Sequence, residues 1–145
     1  MLDCLIVHPN GGGEFSIYDV RIRILVGARE TRGEFAVLET TLPPQGCLPK
    51  HLHTLDDQTL YVLEGQLELI VNGRAQVLGP GSMAFLPRGL PHAVRNPFDS
   101  PVKYQEVAVP AGLDSYLEEL ALIPHEECEE RFVELGNRYG VYIEE

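Results

Sequence analysis

His51-Leu-His53-Thr-Leu-Asp-Asp-Gln58, followed by Gly81-Ser-Met-Ala-Phe-Leu-Pro87-Arg-Gly89-Leu-Pro91-His92-Ala-Val-Arg-Asn96, decides how the chain is read. Three of the five histidines fall in these two stretches. On a strand, side chains two residues apart share a face, so His51 and His53 aim at one point. His92 follows a Pro-rich turn and opens another apolar strand. A lone histidine is more often a core residue bonded to backbone. Three at this spacing read as a site for one divalent transition metal, such as Fe, Ni, Mn, Zn or Cu, inside a β-barrel.

Working outward, the surrounding sequence is a run of short strands separated by Gly and Pro turns. Residues 15–26 hold Val20, Ile22 and Ile24 alternating with Arg21 and Arg23, and read as one half-buried strand. Residues 27–33 are polar and read as a turn, and 34–42 as a strand rich in β-formers. Further strands are expected at 50–53, 58–63, 66–71, 74–78, 82–86, 92–95 and 102–109. Asn72-Gly73 is the strongest hairpin signal. Gly65, Gly79 and Gly81 read as tight turns needing positive φ. Asn96 reads as a turn former, and Pro87 and Gly89 as the shapers of the loop that delivers His92. With no helix between the strands, the fold class is an all-β sandwich or barrel.

The two stretches resemble the cupin motifs G-x5-H-x-H-x4-E-x6-G and G-x5-P-x-G-x2-H-x3-N. The second fits Gly81, Pro87, Gly89, His92 and Asn96 at every named position. The first fits His51, His53 and Gly65, but Gln45 stands at its first glycine and Gln58 at its metal-binding glutamate. The resemblance spans roughly residues 35–110, and the whole is similar to small single-domain, quercetin-dioxygenase-like cupins. It implies a jelly-roll barrel with a short two-helix C-terminal tail. It also implies a metal held by His51, His53, His92 and the residue at Gln58, and a homodimer paired through its sheets.

Gln58 changes the chemistry of such a site. Glutamate offers an anionic oxygen; glutamine offers one neutral carbonyl and an NH2 that repels a cation. A divalent ion with three neutral histidines and Gln58 keeps its charge of +2, so the site favours an anionic ligand or substrate. Direct ligation by Gln58 and a hydrogen bond from it to a ligand or water both fit the sequence. Leu60, Val62 and Val94 share the faces of the metal residues and read as core or pocket lining. Tyr61 alternates away from Gln58. Glu39 or Glu106 is a candidate general base if its side chain points inward.

Composition sets bounds. A chain of 145 residues, 44% hydrophobic, suits one domain with a substantial core. We divide it into an arm over 1–13, a barrel over 14–110 and an acidic helical tail over 111–145. A net charge of −11 argues against nucleic-acid binding, and no run is apolar enough to span a bilayer. The N-terminus has no basic lead, which argues for a cytoplasmic protein. Cys4, Cys47 and Cys128 read as three reduced cysteines, at least one buried, with Cys47 close enough in sequence to approach the site. From Ala111 onward ten acids face only Arg131 and Arg138. Helical spacing there predicts helices over 113–122 and 126–139. Asp114 or Ser115 would cap the first, and Pro124 would start the second.

The function expected is a metal-dependent small-molecule enzyme. By resemblance the leading chemistry is dioxygenation of a substrate that chelates through its own oxygens. A Lewis-acid isomerase or lyase, or a non-catalytic small-ligand binder, would use the same site.

Overall fold

A computed structural model describes residues 3–124 and 129–144. Among the described residues eleven strands form two sheets, and these wrap the expected jelly roll. In chain order the elements are β1 (Gly13–Ile17), β2 (Val20–Val26), α1 (Ala28–Thr31), β3 (Ala36–Leu42), β4 (Cys47–His53), β5 (Asp57–Glu64) and β6 (Leu67–Val71). They continue with β7 (Arg74–Leu78), β8 (Met83–Leu86), β9 (His92–Arg95), β10 (Val102–Val109), α2 (Leu113–Ala121), α3 (Glu129–Tyr139) and β11 (Val141–Ile143). One sheet runs β1-β2-β3-β10-β5-β8 and the other β11-β4-β9-β6-β7. Every pairing is antiparallel. Among the described residues no helix is long and apolar enough to cross a membrane.

Period-two alternation puts Ala36, Leu38 and Leu42 of β3, Leu60 and Val62 of β5, and Val102, Tyr104 and Ala108 of β10 in the core. Leu67, Leu69 and Val94 meet them from the other sheet. Asn72 and Gly73 take φ of 52° and 74°, the twist a two-residue hairpin needs between β6 and β7. Gly65 and Gly81 also adopt positive φ, whereas Gly79 is absent from the positive-φ glycines. Asn96 is the expected turn former: fully buried, its Nδ2 donates to the carbonyls of Leu42, Pro43 and Ser100 while its Oδ1 accepts from Phe98 N–H.

Several expectations need correction. Residues 15–26 are not one strand: they hold the end of β1, a turn with Tyr18 at φ 54°, and the whole of β2. The polar segment 27–33 contains a single helical turn, α1. Neither Asp114 nor Ser115 caps α2, whose N-cap is Gly112; Asp114 Oδ1 accepts from Gly112 N–H and its Oδ2 from Ala28 N–H, tying α2 to α1. Of the cysteines, Cys4 and Cys47 are both exposed, while Cys128 lies outside the described residues. So do residues 126–128 of the expected second helix, whereas Pro124, expected to start it, is described and lies outside any helix.

The tail adds a strand that the sequence reading did not anticipate. Gly140, at φ 70°, turns α3 into β11, and a Cβ there would meet Thr54 Oγ1 and the Leu55 side chain. β11 then pairs with β4, Val141 opposite His53 and Ile143 opposite His51. The tail is thereby stitched to the strand that carries two of the three histidines. α2 packs over β1 and β3, and α3 over α2 and β11.

Candidate metal centre and cavity

His51 and His53 come from β4 and His92 from the start of β9, the strand paired with β4 so that His51 faces His92. Their ligand atoms all lie within 4.8 Å of one another. The loop before His92 is fastened on two sides. Gly89 N–H donates to His53 O at 2.6 Å, and the Arg88 guanidinium forks onto Asp57 with contacts of 3.2 and 3.1 Å.

Two of the three ring nitrogens not needed for a metal are bonded to backbone. His51 Nδ1 lies 2.7 Å from Pro49 O, and His92 Nδ1 3.0 Å from Leu90 O. A carbonyl only accepts, so each Nδ1 carries the proton and each Nε2 keeps its lone pair. Burial, with His92 next in effect, pushes the His51 imidazole down to about 4. Burial also lowers His92. Both rings are therefore neutral at neutral pH, the form that binds metal. His53 Nδ1 is buried, lies 3.4 Å from Asp56 Oδ1 and has no hydrogen-bond partner. Two neutral imidazoles with outer nitrogens bonded to carbonyls, and a third whose outer nitrogen faces a carboxylate, fit a divalent transition ion.

Gln58 is 3% exposed on the inward face of β5, and its Nε2 donates to Asp56 Oδ2 at 2.9 Å. The NH2 that would oppose a cation is thus occupied by a carboxylate, and the carbonyl Oε1 is the other end of the amide. Sequence reasoning missed Asp56. It lies between the named motif positions, and a carboxylate beside a turn reads as exposed, yet it is 6% exposed.

A cavity of about 1010 Å³ opens over His51 and His53. Thr40 and Glu106 line it from the barrel; Leu113, Tyr116, Leu117 and Leu120 come from α2, and Phe132 and Val133 from α3. Cys47 reaches its lining but not the histidine cluster. Of the two candidate bases, Glu106 is the inward one. It lines the cavity, and Thr40 Oγ1 donates to it at 3.4 Å. Burial pushes its carboxyl up to about 7, with His53 acting in the opposite sense. Glu39 points the other way and pairs with Arg23 and Lys103 at 3.1 and 3.8 Å. The alternation of buried Val102, Tyr104 and Ala108 was the sequence signal that could have chosen Glu106.

Comparison with known proteins agrees with this architecture. Quercetin 2,3-dioxygenase of Bacillus subtilis is 30% identical over 73 residues, 50% of this chain and 22% of that protein. Endoribonuclease YbeY of Myxococcus xanthus is 31% identical over 91 residues, 63% of this chain and 31% of that protein. The chain thus spans less than a third of the length of either curated relative. The polyketide cyclase RemF of Streptomyces resistomycificus superposes with a TM-score of 0.68 at 26% identity, covering 74% of this chain and 80% of RemF. Residues 38–110, half of the chain, match the cupin domain family. With that match, the two-sheet barrel and the clustered histidines in hand, the chain belongs to the cupin family.

Proposed function

We propose that this protein is a metal-dependent enzyme acting on a small, largely apolar molecule that chelates through its own oxygens. The observation that carries this reading is the convergence of His51, His53 and His92, two of which, His51 and His53, line a large cavity whose tail-side wall is mostly apolar. The three histidines, with Gln58 beside them, would hold one divalent ion of Fe, Ni, Mn, Zn or Cu. When bound, such an ion supplies Lewis acidity and, if redox-active, oxygen chemistry. Because the ligand set is neutral, the site favours a substrate bound as an anion. Glu106 is placed to take the proton from a phenol or enol, with Thr40 orienting its carboxylate. Leu117, Leu120 and Phe132 exclude water from the reacting end.

The leading reaction is a dioxygenase-type oxidation, supported by the likeness to quercetin 2,3-dioxygenase across the motif region. A second reading, Lewis-acid isomerisation, lyase chemistry or ring closure, is favoured by Glu106 and by the likeness to a polyketide cyclase. The test is metal-loaded protein incubated with a flavonol and with a 1,3-diketone under labelled oxygen. Incorporation of oxygen into product supports the first reading. Conversion without oxygen uptake supports the second. Tight binding with no conversion under any metal would leave a ligand-binding barrel.

The same proposal places the protein in the cytoplasm as a homodimer. Edge strand β8 and its neighbour β5 expose Met83, Phe85 and Tyr61 on one outer face. Light scattering giving 16.1 kDa would contradict the dimer.

A further inference from the structure

The cupin motif places a carboxylate at position 58, where this chain has Gln58. A buried carboxylate is nevertheless present, two residues earlier. Asp56 is 6% exposed and lies outside the cluster of converging ligand atoms. Its Oδ2 accepts from Gln58 Nε2 at 2.9 Å, and its Oδ1 lies 3.4 Å from His53 Nδ1. One carboxylate thus addresses two of the residues assigned to the metal.

We propose that Asp56 is the positioning residue of the metal centre, supplying from one shell out both the orientation and the negative charge that Gln58 lacks. The inference rests on the metal-site reading above. Each part follows from donor and acceptor chemistry. A carboxylate accepts only, so Asp56 fixes the Gln58 amide with NH2 toward itself and leaves Oε1 as the end a cation can accept. By the same rule it selects the His53 tautomer with the proton on Nδ1 and the lone pair on Nε2. Among the described residues His53 Nδ1 has no hydrogen-bond partner, and Asp56 Oδ1, 3.4 Å away, is the carboxylate oxygen it faces. His51 and His92 need no such help, because backbone carbonyls of Pro49 and Leu90 do that work. Adding Asp56 brings a divalent ion, three neutral histidines and Gln58 from +2 to +1, the charge a glutamate at 58 would give. The carboxylate is retained but displaced, so the inner shell keeps a neutral oxygen and the charge stays close.

The test titrates metal alone into untagged, chelator-treated protein, with Zn(II) followed by calorimetry and Co(II) by its visible spectrum. Asp56→Asn is expected to weaken Zn(II) binding about 10- to 100-fold and to alter the Co(II) spectrum. Gln58→Glu alone puts two carboxylates side by side in the metal-free protein and should lower its melting temperature. Combining Asp56→Asn with Gln58→Glu moves the charge back inward and should restore Zn(II) affinity to the wild-type level or above. A purely structural role for Asp56 would change melting temperature without that rescue.

Wild-type affinity and an unchanged Co(II) spectrum in Asp56→Asn, while His51→Ala loses binding, would overturn the inference and leave the metal site standing. Wild-type protein that binds neither metal would overturn both. If Asp56→Asn does not fold, imidazole nitrogen shifts of the wild type decide. A proton on His53 Nδ1 is expected, and one on Nε2 would overturn the proposal.

Discussion

The two ends of the cavity are built differently. At the histidine end, polar groups are set by named partners: Pro49 O on His51, Leu90 O on His92, and Asp56 facing both His53 and Gln58. At the tail end, α2 and α3 supply mainly apolar side chains to the interior and carry exposed Glu118, Glu130 and Glu134 outside. One end is a construction of orientation, where a shift of a few tenths of an ångström changes chemistry. The other is a construction of area, where many substitutions of similar volume would serve. From Ala111 onward ten acids stand against two arginines, so most of the net charge of −11 lies in the tail segment.

That contrast can be broken by substitutions on either side. Replacing His92 by alanine should weaken metal binding by more than about 100-fold, read by calorimetry, since losing an inner ligand exceeds losing an outer-shell one. The fold should persist. Leu135, 4% exposed in α3, should behave in the opposite way. Leu135→Ala should cost about 2–4 kcal/mol in denaturant unfolding and leave metal affinity unchanged. Leu120→Glu, in the cavity wall, should reduce affinity for an apolar ligand about tenfold, while the metal stays bound. A large loss of metal in either tail variant would show that the two ends are not separable.

The smallest effect is a pH dependence of the metal-free protein. His51 falls from 6.5 to about 4 on folding, so the unfolded chain binds more protons there, and stability drops as pH falls from about 6.5 toward 4. Glu106 rises from 4.5 to about 7, so its contribution is complete below about 4.5 and is lost as pH rises through about 7. The two oppose one another between pH 4.5 and 6.5. Glu106→Gln removes one of them, so its melting temperature should fall more steeply with acid than that of the wild type. It should also exceed the wild type's near pH 8. Parallel curves for the two proteins would contradict the buried position of the Glu106 carboxyl.

Much of the histidine end was legible because it depends on spacing. The i, i+2 pair, the Pro and Gly positions before His92, and Asn72-Gly73 each force a local geometry whatever surrounds them. What was not legible depends on neighbours distant in sequence. The turn at Tyr18 carries no Gly or Pro, and its positive φ is imposed by β1 pairing with β2. β11 is three residues long, too short to show a period, and exists because β4 offers an open edge. Asp114 looked like a cap for its own helix, but the N–H groups nearest its oxygens belong to Gly112 and Ala28. Glu39 and Glu106 were separable only through strand phase, and Asp56 only through its burial. The cavity itself could not be read, since its walls come from β1, α2, α3 and two barrel sheets at once.

The central claim is a metal centre on His51, His53 and His92, and metal content tests it most directly. Protein purified without an affinity tag or chelator would be analysed for iron, nickel, manganese, copper and zinc beside His51→Ala. The account expects near one equivalent of one of these metals in the native protein and its loss in the variant. Native protein without metal, whose melting temperature no added divalent ion raises, would contradict it.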